Sequence, residues 1–389
     1  MTLRAVHRRL LLVGAVAACL GGAAAFPVLA DDSSSLVKVT AAEGTPVPGR
    51  YIVTMKSGAS TDGAAKSVKA SGVRRFDGVL NAFAAPLTKD QLNKLRRDHR
   101  VAAIEQDQVF KATTTQRAPL PWGLDRIDQR SAKLSKTYTY KSSGKGVNAY
   151  VIDSGLDVTH KEFGGRASIA WTAPQFNGDG RDCNGHGTHV AGIIGSKTYG
   201  AAKSVKLRSL RVLDCNGEGT LSDVVDAVNW LRTHAAKPAV ANMSLGGPKS
   251  TALNTAVMNL SKSGVFTSVS AGNENADACK VSPAGAGWVM AVGATTKYDN
   301  RASFSNWGKC VDINAPGYGI YSTWPGGKNK ALSGTSMAAP YVSGVAALYL
   351  STHPKATFPT VQKVLNDNST HTLKNLRSQP NRLLWKGKL

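Results

Sequence analysis

From Trp122 onward the chain alternates short, largely apolar runs with longer helical ones, and this restricts the folds open to it. "VNAYVID", "VKLRSLRVL", "AVANMSL", "VFTSVSAG" and "VMAVGAT" read as strands; "GTHVAGIIGS", "LSDVVDAVNWLRTHA", "STALNTAVMNLSKSG" and "SMAAPYVSGVAALYLS" read as helices between and after them. Strands with no regular polar face must be covered on both sides, which a parallel sheet with flanking helices provides. The expected fold is therefore α/β, with a central, mostly parallel sheet. In such sheets functional residues collect at the carboxyl ends of the strands.

A smaller unit precedes this one. "RYIVTMK" reads as a strand, "DGAAKSVKASG" as a helix, "LNAFAAPL" as a strand, "TKDQLNKLRRDH" as a capped helix and "VAAIEQDQVF" as a closing strand. That order suits a small α+β domain over residues 49–112, with 113–389 forming the larger domain. Residues 31–48 are polar and read as a linker, and "KATTTQRAPLP", without periodicity, reads as an exposed linker open to cleavage. Ahead of both, Arg4, Arg8 and Arg9 lead into "LLLVGAVAACLGGAAAF" and a small-residue cleavage pattern after Ala30. Residues 1–30 read as a signal peptide, so export is expected. The tail 357–389 has few long apolar runs, and its sequence is compatible with packing on the larger domain or with removal after secretion.

Cys19 falls in the signal, which leaves Cys183, Cys215, Cys279 and Cys310 for an exported chain. Two disulfides are expected, and the sequence alone allows three pairings. The CxxC spacing of zinc sites is absent. The net charge of +23 raises nucleic acid as a partner, but the basic residues are scattered, with no long run and no interleaved aromatics. A solvated basic surface is the better reading, without nucleic acid as main partner.

Three residues carry candidate chemistry. Asp153 ends a strand, His186 opens a helix after "CNG", and Ser336 stands at the start of the last long helix. Each alone is ordinary. Around Ser336, however, Gly334, Ala338 and Ala339 clear space at a helix N-terminus. There the Ser336 backbone N–H and the positive helix end can stabilise an oxyanion. Asn273, directly after a strand and two small residues, offers a neutral side-chain donor as the second half of such a hole.

"YVIDSG", "NGHGTHVAG", "SLGG", "SAGN" and "GTSMAAP", in this order, resemble the subtilisin-type serine endopeptidases, and within them the proteinase K-like branch with its aqualysin-type secreted bacterial enzymes. The resemblance implies that Asp153 orients His186, that His186 is general base and then acid, and that Ser336 attacks the peptide carbonyl. It implies substrate-pairing segments at Gly217, Glu218 and Gly219 and at Ser244, Leu245 and Gly246. Ser270, Ala271 and Gly272 would line a roomy pocket for apolar or aromatic side chains. It also supports the pairings Cys183–Cys215 and Cys279–Cys310. Structural calcium is implied at Asp312 with the Gly287 and Val289 carbonyls, and at a second site from Asp125, Asp128 and Gln129.

The segment 49–112 resembles the family's inhibitor-type propeptide, which implies an intramolecular inhibitor and self-cleavage between about Lys111 and Gln116. His186 and His189 share a helix face, but the glutamate that a zinc protease places between its histidines is missing. Proton transfer by His186 is expected, with His189 structural. The resemblance and the leader together imply a secreted monomer acting on polypeptides, free of the membrane once its signal is removed. A non-catalytic binding scaffold and an ester-directed acyl hydrolase on the same fold are the alternatives.

Overall fold

A computed structural model describes residues 36–42, 46–75, 81–108, 114–116 and 121–389. The expected signal peptide lies outside the described residues. The chain divides into two compact units, Met1–Phe110 and Lys111–Leu389.

The first unit is a five-stranded sheet in the order Val39–Thr40, Val101–Gln108, Pro46–Met55, Ala82–Pro86, Arg74–Arg75, with helices Thr61–Ser67 and Lys89–Arg97. Thr88 and Gln91 form a reciprocal cap at the start of the second helix, and Leu95 on that helix joins Val53, Phe83 and Ile104 in the core. Two details depart from expectation. The first helix ends at Ser67 and does not run to Gly72, because Lys69 takes a left-handed conformation (φ 53°). The segment expected as a linker supplies the edge strand Val39–Thr40 and the start of Pro46–Met55.

The second unit is built on a seven-stranded sheet in the order Ile313–Pro316, Met290–Thr295, Val265–Ser270, Ala239–Met243, Asn148–Asp153, Lys206–Arg211, Ala167–Thr172. Every pairing in it is parallel. Strands Asn148–Asp153, Ala239–Met243, Val265–Ser270 and Met290–Thr295 are buried at every residue, which is why their sequences show no alternation. One helical layer is His186–Gly195 with Thr335–Thr352, and the other is Leu221–His234 with Thr251–Lys262. Asn148–Asp153 pairs with Lys206–Arg211 on one side and Ala239–Met243 on the other, so the sheet grows outward in both directions from it. Its carboxyl end is the switch point where α/β sheets place their sites.

Sequence reading missed the edge strands Ala167–Thr172 and Ile313–Pro316, the hairpin Ile320–Trp324/Lys328–Leu332 and the helix Phe358–Asn368. The tail packs on the second unit: Phe358, Val361, Leu365, Leu383 and Leu384 are buried. Thr370 and Thr372 join the buried Arg126–Asp299 ion pair. Within "KATTTQRAPLP", Thr114–Gln116 is not structureless but pairs antiparallel with Tyr138–Tyr140.

Candidate active site

Asp153, at the end of the switch-point strand, is fully buried. Its Oδ1 accepts a 2.8 Å hydrogen bond from the Ser154 amide and lies 2.8 Å from His186 Nδ1, whereas Oδ2 has no partner among the described residues. A carboxylate only accepts, so the proton sits on His186 Nδ1 and leaves Nε2 as a base. Burial is the largest influence on the imidazole and disfavours its charge. The charge and hydrogen bond of Asp153, aided by Asp182, outweigh it and raise the pKa above its ordinary value.

The loop before His186 is tied down by one carboxylate. Asp182 accepts from the amides of Asn184, Gly185 and Thr188 at 3.2, 2.7 and 2.8 Å and from Ser154 Oγ at 2.9 Å. The glycines flanking His186 are sterically required. Gly185 has φ 103°, and a Cβ there would stand 2.3 Å from the Trp324 ring; one on Gly187 would stand 2.2 Å from the Gly155 carbonyl. His189, one turn on, is fully buried, and its Nε2 faces the carbonyls of Ile320 and Lys330 at 3.1 and 2.9 Å. Burial pulls its pKa down to about 4, so it stays neutral as a brace for the hairpin.

Ser336 is the second residue of Thr335–Thr352. Pro340 lacks the N–H that a helix would return to the Ser336 carbonyl, and Ser244 Oγ supplies that bond instead at 2.7 Å. In return, Ser336 Oγ donates to the Ser244 carbonyl at 3.1 Å. The nucleophile candidate is thus pinned to the strand end that carries "SLGG".

Asn273 is oriented by its oxygen. Oδ1 accepts from the Thr335 amide at 2.8 Å and from Thr335 Oγ1 at 2.9 Å, which leaves the Nδ2 donor turned away from the helix. A Cβ built on Gly334 would lie 3.6 Å from both Asn273 Nδ2 and the Ser336 amide. Two neutral donors therefore lie near one point beside Ser336, a placement suited to an oxyanion hole.

His186, Asn273 and Ser336 all open onto a cleft of about 1230 Å³. Gly217, Glu218, Gly219, Ser244, Leu245, Gly246, Ser270 and Gly272 line it. Ala271 does not; its side chain is fully buried in the core beneath the wall, because alternation along the chain turns it inward between Ser270 and Gly272.

Among the described residues no group of three or more His, Cys, Asp and Glu side chains is arranged to hold a metal. Asp312 is a special case: burial raises its carboxyl to about 6 against the opposing charge of Arg382, and among the described residues its side chain accepts from the neutral Ala291 amide at 2.8 Å and Gln362 Nε2 at 3.3 Å. A buried carboxylate so poorly compensated fits a hard cation. In the second expected set, protein donors already engage both carboxylates. Asp125 accepts from the Ser135 amide and hydroxyl, both at 2.9 Å, and from the Lys136 amide at 2.6 Å. Asp128 accepts from the Thr139 amide at 2.8 Å and pairs with Lys386 Nζ at 3.1 Å. Gln129 Nε2 donates to the Ser131 and Lys133 carbonyls. Each of the two carboxylates thus carries donors of the protein's own, one of them an ammonium.

Several contributors escaped sequence reading. Asn306, fully buried, accepts at Oδ1 from the Glu274 and Ala276 amides and donates from Nδ2 to the Ala271 carbonyl and Glu274 Oε2, clamping the turn that carries Asn273. Thr335 and Asp182 are others. Only the "SAGN" and "NGHG" neighbourhoods hinted at them. The disulfides are Cys183–Cys215 and Cys279–Cys310, closing loops that each contribute about 3 to 4 kcal/mol in the chain-entropy picture.

Comparison with known proteins agrees with this architecture. A sequence model of the subtilase family matches residues 144–383, and one of peptidase inhibitor I9 matches residues 50–113. The Extracellular serine proteinase of Thermus sp. (strain Rt41A) is 44% identical, over 92% of this chain and 94% of its own. Alkaline serine exoprotease A of Vibrio alginolyticus is 46% identical over 80% of this chain and 59% of its own. Among solved structures, a cold adapted subtilisin-like serine proteinase superposes with a TM-score of 0.68 at 48% identity, covering 69% of this chain and 99% of that one. The order of strands, the loops gathered at the switch point and these likenesses lead to one assignment: the chain belongs to the subtilase family of serine proteinases and carries an I9-type domain ahead of its catalytic unit.

Proposed function

We propose that the protein is a secreted serine endopeptidase, made as a self-processing precursor, that cleaves polypeptides through an acyl-enzyme. The observation that carries this reading is the convergence of Asn273 Nδ2 and the Ser336 amide beside the Ser336 hydroxyl, in a cleft that also holds a His186 buttressed by Asp153. For attack, the Ser336 hydroxyl swings from the Ser244 carbonyl to His186 Nε2, which takes its proton as the oxygen adds to the substrate carbonyl. Asp153 stabilises the imidazolium, and Asn273 with the Ser336 amide holds the oxyanion. His186 then protonates the leaving amine, and water repeats the sequence to free the acid.

Gly217–Gly219 and Ser244–Gly246 offer backbone edges to an extended substrate on either side of the cleft. The small residues Ser270 and Gly272 leave room between them for an apolar or aromatic side chain. The I9-type domain acts as intramolecular inhibitor until cleavage between about Lys111 and Gln116 releases it. Calcium, where bound, is held by Asp312 with the carbonyls of Gly287 and Val289 and stabilises the loop before Met290–Thr295 without entering the chemistry. The apolar leader and the extracellular naming of the Thermus relative support secretion, and the enzyme works as a monomer.

Replacing Ser336 by Ala tests this directly. Loss of the nucleophile costs about 10⁶ in turnover in such enzymes, so the variant is expected to hydrolyse no peptide and to accumulate as uncut precursor, read by intact mass. A Ser336→Ala protein that still processes itself and cleaves peptides refutes the reading.

A further inference from the structure

The Cys183–Cys215 disulfide joins the loop that presents His186 to the neighbouring segment Asn216–Gly219, which also lines the cleft. Both half-cystines are exposed, whereas Cys279 and Cys310 are half-buried. The two sulfurs are not equivalent. Arg211, only 5% exposed, holds Nη2 3.2 Å from Cys183 Sγ. It is fixed there by its 3.0 Å bond to the Asp179 carbonyl and by the Phe176 ring 4.1 Å from its Cζ. Among the described residues no cation touches Cys215 Sγ.

We propose that Cys215 is a thiolation site: a low-molecular-weight thiol opens this disulfide by attacking Cys215 Sγ, and the opening loosens the substrate-binding rim. In the first step the attacking thiolate, its proton already lost to solvent, forms a new S–S bond to Cys215. The Cys183–Cys215 bond breaks, and its electron pair leaves on Cys183 Sγ as a thiolate facing the Arg211 guanidinium. A second thiolate then attacks the small-molecule sulfur of the mixed disulfide and releases Cys215 as a thiolate. Overall two thiols are oxidised to one small disulfide and the protein disulfide gains two electrons. The direction follows from the leaving group: exchange is faster when the departing thiolate is the more stabilised one, and an adjacent Arg lowers a cysteine's pKa.

What opening would do follows from the remaining ties. His186 keeps its Asp153 and Asp182 anchors. Segment Asn216–Gly219 keeps its local turn on Asp214. Among the described residues, its tie to the His186 loop is the Asn184 bridge, whose Nδ2 donates to the Cys215 carbonyl at 3.0 Å and whose Oδ1 accepts from the His186 amide at 3.2 Å. The rim should therefore loosen more than the proton-transfer pair, raising KM more than it lowers kcat; this half rests on the peptidase reading above.

Glutathione is the probe. The full chain carrying Ser336→Ala is incubated with it at about pH 8, near the thiol pKa, then alkylated and mapped by mass. Glutathione on Cys215 with the alkyl group on Cys183, and an intact Cys279–Cys310, is the expected pattern. Glutathione mainly on Cys183, equal labelling of both, resistance of the bond, or earlier opening of Cys279–Cys310 overturns the proposal. Arg211→Gln should erase the preference and Arg211→Lys should preserve it; an unaltered preference in Arg211→Gln overturns the role of the guanidinium. With the active enzyme and a peptide substrate, KM should rise several-fold on opening while kcat changes little; an unchanged KM at full opening overturns the functional half. Absence of any turnover before glutathione is added counts against the peptidase reading alone, since the mapping needs no activity.

Discussion

Replacing Asp153 by Asn separates two jobs of the carboxylate that are usually lost together. Oδ1 is the acceptor for both the Ser154 amide and His186 Nδ1, while Oδ2 is buried without a partner among the described residues. An Asn at this position keeps both hydrogen bonds only if its oxygen occupies the Oδ1 place, because an NH₂ there would oppose the Ser154 N–H. The amide nitrogen then sits where Oδ2 was, a buried donor with no acceptor, costing about 1 to 3 kcal/mol of stability. His186 retains its proton on Nδ1, so the base remains correctly posed and only the charge is missing. A unit charge about 4 Å from the imidazolium is worth about 4 kcal/mol at an effective dielectric near 20, or about 10³ in kcat. Where Asp→Asn also yields the wrong tautomer, the loss is about 10⁴. The pH profile gives an independent sign. In the parent, Asp153 lifts His186 above its ordinary pKa, so kcat/KM falls as pH drops through that raised value. Without the charge, burial is the largest influence left, and the acid limb should move to lower pH. Imidazole NMR of the Ser336→Ala and Asp153→Asn double variant, with kinetics of the single one, makes the check. A ring protonated on Nε2, or an acid limb that stays put, refutes the reasoning.

The stability side of the same pair has a definite direction: a histidine pKa raised by folding contributes stability in full below the unfolded value, and that contribution is lost as pH rises through the folded one. Asp312 behaves in the opposite sense to a salt-bridged acid. Its carboxyl is raised to about 6 by burial, so in chelator the folded state should lose stability as pH climbs from the unfolded value toward about 6. Added calcium should abolish that dependence and raise the thermal midpoint, and Asp312→Asn should show neither effect; a variant that still responds to calcium like the parent disproves the assignment. Asn306→Ala removes the clamp on the Asn273 turn and should cut kcat by about tenfold or more, approaching the 10² to 10³ of losing the oxyanion donor itself, with a smaller effect on KM. Unchanged kcat in a folded variant rules that role out.

How much of this was legible depended on whether a residue's partner lay in its own neighbourhood. The buried strands announced themselves because burial on both faces leaves an apolar run, as in "VNAYVID" and "VFTSVSAG". Ala167–Thr172 did not: it is an edge strand, half-exposed along its length, and its pattern is that of a loop with some apolar residues. Ile313–Pro316 is four residues long and ends in proline, too short to show a period. The glycine requirement around His186 was visible as "NGHG", but its cause, the Trp324 ring against Gly185, comes from a hairpin far down the chain.

The acidic cluster near Trp122 shows the same limit from the other side. The resemblance implies a cation at "GLDRIDQ", and the sequence leaves open that Asp125 and Asp128 simply face solvent. Folding brings two things the spacing cannot report. Asp125 is turned onto the backbone at Ser135 and Lys136, closing a local turn. Asp128 meets Lys386, whose ammonium, 4% exposed, also donates to the Gly387 and Leu389 carbonyls. One of the two expected carboxylates therefore already faces a fixed positive charge. The chain thus meets the charge requirement of that corner with a covalently attached cation, and the tail that delivers it is held by the same bond. Calcium dependence should therefore follow Asp312, with the Asp128 corner less responsive to chelator.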